Sequence, residues 1–337
     1  MNDFFKEAFD IFQEYEVESN KDHEVGYDTD NFKNFNQNLD GLSKGLYIFA
    51  GESNCGKTAV MTNLLQDFGV QTKNKLFSIY YTLDDTTNEV IPRIIAMNQK
   101  IPISVCAKPK RYEALLEVTA QNPQEMMYQE EIRKHLELRK QGIQLLQQRS
   151  NQFMITDGTR VNTFEDIVEH AKRAQEFVKS IDLENNIMIG IDSISDIKFK
   201  NRTFKQPQER HEALSESLKQ LANTELQIPV FGTCHLRKLN HAGRPVLDDL
   251  KETGRYQYDA SVVFLTHNDV SKNKNAAKIF YTNEESEFIQ PVIELDWAKN
   301  KRSEFKGRSF YYFVPKYSYV QECVSSDIER FNNIIKG

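Results

Sequence analysis

The hydrophobic positions of this chain fall into short apolar runs that alternate with amphipathic segments such as 59–68 and 87–97. Short apolar runs between polar stretches are typical of buried strands, and strands that alternate with helices favour a parallel sheet covered by helices. We therefore predict an α/β fold with a largely parallel sheet. Its strands are expected at 46–50, 77–82, 153–155, 187–192, 228–234 and 261–266.

The first 24 residues differ from this pattern. Their aromatic and aliphatic residues recur at helical spacing, which predicts an amphipathic helix that packs on its own domain or on a neighbouring subunit. The remainder, 25–337, is expected to form one large domain. The apolar positions of the first segment are Phe4, Phe5, Ala8, Phe9, Ile11, Phe12 and Tyr15.

Two segments interrupt the strand pattern. Residues from about 106 to 150 are rich in charged residues and glutamine with leucines at helical spacing, which predicts a helical insertion. Residues from about 267 to 290 are polar, which predicts a hairpin or mobile excursion on the surface. Beyond them, 292–298 and 308–314 are expected to be two strands joined by a basic turn.

Composition excludes several classes of protein. The chain has 337 residues, 27% of them charged, and no apolar run long enough to span a membrane, so no membrane partner is expected. The start of the chain has no secretory leader, and the four cysteines are far apart, which favours reduced thiols in a cytoplasmic protein without structural zinc. A net charge of −6 gives no global reason to bind nucleic acid, although local basic patches remain.

A phosphate-binding pattern follows the first predicted strand. The pattern G-x-x-x-x-G-K-[ST] allows backbone N–H groups to surround a phosphate, while its lysine reaches the β and γ oxygens and its hydroxyl ligates Mg²⁺. The next segment, 59–68, is the helix whose N-terminus would receive the anion. The sequence therefore predicts an ATP or GTP site formed by Gly51, Glu52, Ser53, Asn54, Cys55, Gly56, Lys57 and Thr58.

Three other strand ends carry polar side chains for the same site. Asp192 ends an apolar strand and is the candidate second anchor for Mg²⁺, although such a residue can instead cap the next helix. Asp84 and Asp85 end another strand, where one of them would activate water or else cap the helix at 87–97. His235 follows a third strand and is a candidate sensor of the γ-phosphate.

The order of these motifs resembles the RecA-like motor domain of the DnaB-type replicative helicases. The resemblance covers about 25–315 and is specific in its joint order. Besides the phosphate loop, it depends on the segments 41–45, 82–84, 93–96, 155–157, 218–222, 228–230, 244–245, 249–254 and 257–260, followed by the strand 261–265.

This resemblance implies a RecA-like P-loop NTPase core in a homo-oligomeric ring, usually a hexamer, with ATP and Mg²⁺ between subunits and single-stranded DNA in the centre. It makes Lys57 and Thr58 phosphate and Mg²⁺ ligands, Asp192 the second Mg²⁺ anchor and Asp84 the water-activating carboxylate. It makes His235 the γ-phosphate sensor. The N-terminal helix resembles the family's linker helix, which docks on the adjacent subunit.

The resemblance also implies a cation donated into the next subunit's site, at Lys299 or Lys301. Here the chain departs from the family. It has Asp84 for Glu, His235 for Gln, and Lys301 followed by Arg302 where the family has its finger arginine, so Arg302 is an alternative finger. The family's separate N-terminal domain has no room in the first 25 residues, so primase contact is not expected.

The function we predict is an ATP-dependent helicase or translocase on single-stranded DNA. The alternatives are a RecA-like DNA-binding ATPase that does not unwind, such as a loader, recombination mediator or switch, and a non-enzymatic protein in which ATP supports assembly. Two loops that leave strand ends, 198–208 and 237–243, are the candidate contacts to DNA phosphates, or else ordinary exposed loops. Their basic residues are Lys198, Lys200, Arg202, Lys205, Arg237 and Lys238.

Overall fold

The computed structural model describes residues 3–19, 27, 29–236, 243–250, 254–283 and 286–336. Within these ranges ten strands form one sheet. The strands are β1 (Gly45–Gly51), β2 (Leu76–Thr82), β3 (Phe153–Asp157), β4 (Asn186–Asp192), β5 (Pro229–His235), β6 (Val262–Asn268), β7 (Phe280–Asn283), β8 (Ser286–Asn300), β9 (Arg308–Val314) and β10 (Tyr319–Glu322).

The helices lie mainly between the strands in sequence, as the apolar pattern predicts. They are α1 (Asp3–Ser19), α2 (Lys33–Asn38), α3 (Lys57–Val70), α4 (Thr87–Gln99), α5 (Ile103–Ala107), α6 (Pro109–Leu116), α7 (Pro123–Gln148), α8 (Phe164–Ile181), α9 (Pro207–Gln220), α10 (Arg255–Asp259), α11 (Asp269–Asn273) and α12 (Ser325–Lys336). No helix of the described residues is long and apolar enough to cross a membrane.

The sheet order is β10-β9-β8-β6-β1-β5-β4-β2-β3, with β7 paired to β8. Strands β1 to β6 are parallel, whereas β8 is antiparallel to β6 and β9. The prediction of a largely parallel sheet is confirmed. The parallel strands end at one edge, the carboxyl edge, and begin at the opposite one, the amino edge.

Two apolar clusters cover the two faces of the sheet. Alternate residues of β1 point to each: Leu46 and Ile48 join one cluster, while Tyr47 and Phe49 join the other. Helices α8 and α9 contribute to the first cluster, and α3 and α4 to the second. Because every residue of β1 is buried, the loop that follows it starts from a strand fixed on both faces.

The prediction that 267–290 is a surface excursion is wrong for its first residues. His267, Asn268 and Asp269 are buried at the end of β6 and the start of α11. The Asp269 carboxylate accepts from the backbone N–H groups of Lys278 and Ile279, and Asn268 Oδ1 accepts from the backbone N–H of Ser271, so these two side chains have partners inside the molecule. A buried polar group with partners looks the same in sequence as an exposed one.

Helix α1 lies outside both clusters. Its apolar side chains between residues 9 and 17 are exposed, with Phe12 at 71% and Tyr15 at 69%. Residues 106–150 contain the end of α5 together with α6 and the long α7. Both segments therefore present helical surface that the sheet does not cover.

Candidate nucleotide-binding site

The loop between β1 and α3 needs its two glycines. Gly56 has φ +102°, and a Cβ atom there would lie 2.5 Å from Ile293 Cδ1. At Gly51 a Cβ atom would lie 2.5 Å from Cys55 Sγ. Asn54 takes the left-handed conformation at φ +62°, which asparagine tolerates better than most residues. The loop therefore curls tightly and ends directly at the N-terminus of α3.

Lys57 is the first residue of α3 and lies over this loop. Its ammonium Nζ donates to the carbonyl oxygens of Gly51, at 2.9 Å, and Glu52, at 2.8 Å. The side chain is only 7% exposed. The charge is thus fixed beside the first turn of α3, where the backbone N–H groups and the helix dipole also favour an anion.

Asp192 lies opposite the loop, at the end of β4. Its carboxylate accepts from the hydroxyl groups of Thr58, at 2.5 Å, Tyr80, at 3.0 Å, and Thr233. Burial raises the pKa of Tyr80 well above its usual value, and the Asp192 charge adds to this effect, so the phenol stays a donor. Three hydroxyls from three elements hold this carboxylate in one orientation.

The pair of Thr58 and Asp192 fits a magnesium ion bound with nucleotide. Mg²⁺ prefers oxygen ligands and usually takes only one or two from protein, with phosphate and water completing the octahedron. Among the described residues, no group of three or more histidine, cysteine or acidic side chains is arranged to hold a metal by itself. The donor set therefore suits an ion that arrives with a phosphate rather than a dedicated metal centre.

The helix-capping alternatives for the acidic residues do not hold in this structure. Helix α4 is capped by Thr86, whose backbone N–H donates to the Glu89 carboxylate at 2.9 Å. The short turn after β4 is capped by Ser193. Asp84, Asp85 and Asp192 are therefore left for other contacts.

Asp84 and Asp85 both line a cleft of about 700 Å³ beside the phosphate loop. Partial burial, together with the charges of Asp196 and Asp192, raises the pKa of Asp84 above that of an ordinary aspartate. The Asp85 carboxylate pairs with the guanidinium of Arg93. His235 lines the same cleft, so the structure brings together residues of each predicted group: Lys57 and Thr58 of the phosphate loop, Asp84 and Asp85, Asp192, and His235.

Several other residues line this cleft for which the sequence motifs predict no role. Arg93 lies on α4, nine positions after Asp84, and Phe313 and Pro315 come from the end of β9. Arg93 could have been identified from sequence, because it is a cation on the helix that follows a strand ending in acidic residues. Phe313 could not, because only the antiparallel part of the sheet brings it to the loop.

The predicted finger cations lie at the amino edge. The backbone N–H of Lys301 donates to Ser261 O at 3.0 Å, just before β6 begins. Strand β1 has seven residues, so this edge is roughly 20 Å from the phosphate loop at about 3.3 Å per residue. These cations cannot reach the nucleotide site of their own chain.

The three cations differ in how firmly their own chain holds them. Lys299 Nζ donates to the carbonyl oxygens of Gln257, Tyr258 and Ala260, and burial lowers its pKa to about 8, with the charge of Lys301 adding to the shift. The Arg302 guanidinium bonds to Lys44 O and to Ser261 Oγ. The Lys301 side chain is exposed and makes a longer contact of 3.3 Å to Tyr258 O, so it is the most available of the three.

The predicted DNA-contact residues are only partly in the structure. Lys198, Arg202 and Lys205 are exposed on the loop between β4 and α9, whereas Lys200 is paired with Asp166. The Arg202 guanidinium lies 5.1 Å from the centre of the Phe199 ring. Arg237 and Lys238 lie outside the described residues.

The family comparison agrees with this geometry. The model of the DnaB-like helicase C terminal domain matches residues 26–318. The chain belongs to this family. No curated protein sequence matches it.

Two solved structures have the same fold as this DnaB-like chain. One, an isolated ATPase domain, is 18% identical with a TM-score of 0.69, and the match covers 95% of this chain and 98% of that one. A DnaB-like replicative helicase, from a study of its interactions with primase, is 17% identical with a TM-score of 0.70, covering 93% and 68%. At these identities the likeness establishes the fold alone.

Proposed function

We propose that this chain is an ATP-dependent motor that moves along single-stranded DNA and unwinds duplex DNA as a ring of identical subunits. The observation that supports ATP hydrolysis most directly is the cleft in which Asp84 faces the glycine loop and the Thr58–Asp192 pair. Family membership supports the helicase class.

In this proposal each residue has one task. Lys57 and the first N–H groups of α3 hold the β and γ phosphates, and Thr58 and Asp192 hold Mg²⁺, which neutralises phosphate charge when bound. Asp84 orients and deprotonates the attacking water, and its raised pKa suits it to accept a proton. His235 contacts the γ-phosphate side of the cleft.

A further cation would come from the neighbouring protomer. Lys301 is exposed at the amino edge, so a second subunit stacked against the carboxyl edge of the first can place it beside the γ-phosphate. Assembly then completes each site, and the exposed apolar face of α1 would hold the neighbour in place. Nucleic acid would contact Lys198, Arg202 and Lys205 through its phosphates.

The test is ATP hydrolysis with and without single-stranded DNA. We expect stimulation by DNA in the natural chain, a loss of at least about 100-fold in Lys57→Ala, and a loss of about 100- to 1000-fold with nucleotide affinity retained in Asp84→Asn. Glu169→Gln, which removes an exposed carboxylate on α8, is the control and should behave like the natural chain.

The outcomes separate the candidate functions. Turnover that DNA does not stimulate would indicate an ATPase switch or loader, and nucleotide binding without turnover would indicate an assembly protein. Normal hydrolysis by Asp84→Asn would contradict the assignment of the base. A strand-displacement assay on forked duplex DNA then distinguishes a helicase from an ATPase that binds DNA without unwinding it.

A further inference from the structure

A histidine that the proposed mechanism does not use lies inside the molecule, on α9. His211 is 2% exposed and is absent from the nucleotide cleft. Its two ring nitrogens have different neighbours: Nε2 is 3.1 Å from Arg210 Nη2, and Nδ1 is 3.2 Å from the hydroxyl of Tyr256. Tyr256 is itself fully buried.

The chemistry of these neighbours fixes the direction of both hydrogen bonds. A guanidinium has only donors, so Nε2 of His211 must accept from Arg210. Nδ1 then carries the ring proton and donates to the Tyr256 oxygen. The two contacts depend on each other because a single tautomer serves both.

Arg210 connects this histidine to the turn that leads into the candidate DNA loop. Its Nη1 donates to Ile197 O at 2.9 Å, and its Nη2 donates to Ser195 O at 3.0 Å. These carbonyls lie three and five residues after Asp192, immediately before the exposed loop that begins at Lys198. One guanidinium thus holds both the turn and the histidine.

Tyr256 connects the histidine to the finger cations. It belongs to α10, in which the carbonyl oxygens of Gln257 and Tyr258 accept from the Lys299 ammonium, as does that of Ala260 just after the helix. The Tyr258 oxygen also accepts from Lys301. Helix α10 is tied to α9 as well, because the Asp259 carboxylate accepts from Ser215 and Lys219. A shift of α10 relative to α9 therefore also moves the cations at the amino edge.

We propose that Arg210, His211 and Tyr256 are positioning residues that couple the loop at 198–206 to Lys299 and Lys301. We call these three residues the relay. When nucleic acid displaces the loop, the relay moves α10 and changes the position of the cation offered to the next subunit. Two of its members are almost fully buried, and packed interiors shift between discrete arrangements rather than yield gradually. The inference rests on the proposed function.

The test removes one hydroxyl from the relay and compares DNA stimulation. Tyr256→Phe keeps the ring and removes the hydroxyl that contacts His211 Nδ1. We expect the ratio of DNA-stimulated to basal ATP hydrolysis to fall at least about three-fold, with basal rate, affinity for single-stranded DNA and melting temperature close to those of the natural chain. The control is Tyr81→Phe, which breaks another tyrosine–histidine hydrogen bond, the 2.9 Å contact to His170, and should keep the full ratio.

A second pair of variants separates positioning from simple packing. His211→Asn keeps an amide N–H that can donate towards Tyr256, whereas His211→Leu keeps bulk without polarity. We expect His211→Asn to retain at least half of the stimulation that His211→Leu loses. Equal losses in the two would show that polarity at this site is irrelevant and would overturn the proposal.

Two further outcomes decide between this inference and the function on which it rests. A natural chain whose hydrolysis ignores single-stranded DNA would remove the proposed function. A stimulated natural chain with equal stimulation in Tyr256→Phe would refute the relay alone. A fall in the ratio that only follows lower melting temperature or weaker DNA binding would also count against the relay, since it would indicate a structural role.

Discussion

Glu294 is a charged residue that is buried at a strand position where its neighbours are mostly apolar, and it has a specific partner. Glu294 in β8 is 1% exposed and accepts two hydrogen bonds from the Arg244 guanidinium, at 2.6 and 3.0 Å. Burial raises the pKa of Glu294, and Arg244 opposes that shift. A buried carboxylate in such a pair depends on its partner much more than an exposed one does.

Replacing Arg244 with methionine should lower the free energy of unfolding by about 3 kcal/mol, because an unpaired charge is left inside the protein. The loss should depend on pH. A carboxyl whose folded pKa is raised binds its proton more readily in the folded state, so stability falls as pH rises from the ordinary glutamate value of 4.5 through the folded pKa. Arg244→Met should therefore be more stable near pH 5 than near pH 8.

Urea unfolding of Arg244→Met at both pH values provides the measurement. The matched control is the double variant Arg244→Met with Glu294→Gln, which has no buried charge to protonate. It should recover part of the lost stability and lose the pH dependence. Identical pH profiles for the single and double variants would contradict the assignment.

The residues of the candidate site divide into those that local sequence marks and those that it does not. Lys57, Thr58 and Asp192 were predictable because a phosphate loop and an acidic strand end are local patterns. Phe313 was not, because it reaches the cleft only through the pairing of β8 and β9. The ion pair between Lys200 and Asp166 could not be predicted either, because it is a tertiary contact that residue type cannot reveal.

At the scale of elements, α2 shows how distant residues stabilise a short helix. The residue before it is Phe32, which provides no side-chain cap. Instead the Glu322 carboxylate of β10 accepts from the backbone N–H groups of Asn34, at 3.1 Å, and Phe35, at 2.9 Å. This contact joins parts of the chain that are 287 residues apart.

We expect Glu322→Gln to lower the free energy of unfolding by about 1 kcal/mol, since an amide offers one acceptor oxygen to two N–H groups and has no charge for the helix dipole. Chemical denaturation measures the change, and hydrogen exchange at Asn34 and Phe35 should accelerate. Glu329→Gln, an exposed position on α12, is the control and should have no effect. Unchanged exchange at the two amides would contradict the capping role.

The difference between local apolar patterns and contacts made elsewhere in the fold also explains which elements can be predicted from sequence. The strands β1 and β4 are buried on both faces, so continuous apolar runs mark them. Helix α2 has six residues and depends on Glu322, far along the chain, while β7 and β10 have only four residues each and pair with β8 and β9. Local pattern carries too little information to identify elements of this kind.

At the scale of the whole molecule, the candidate nucleotide cleft and the predicted finger cations lie at opposite edges of one sheet, because β8 runs antiparallel to β6. Helix α1 has an exposed apolar face. That exposure could not be predicted from sequence, because the apolar spacing of α1 is equally typical of a helix buried in its own domain.

If α1 joins neighbouring subunits, a charge on its apolar face should prevent the ring from forming. Phe12→Glu should shift the mass measured by light scattering in the presence of a slowly hydrolysed ATP analogue towards that of a monomer. Gln13→Glu adds the same charge at the next position along the helix and should leave assembly intact. Equal masses for the two variants would mean that α1 does not hold the ring together.

The two edges are roughly 20 Å apart, since β1 has seven residues at about 3.3 Å each. This separation determines how altered chains affect normal chains when both are present in one ring. In a ring built this way, every copy belongs to two composite sites, as host to one and as donor to the other. An altered copy whose contact surface is intact would still join the ring. It would reduce hydrolysis at the site that it shares with a neighbour of normal sequence. The proportion of altered chains in the mixture would then matter more than the severity of the change in each chain, because a minority of altered chains suffices to interrupt hydrolysis around the ring.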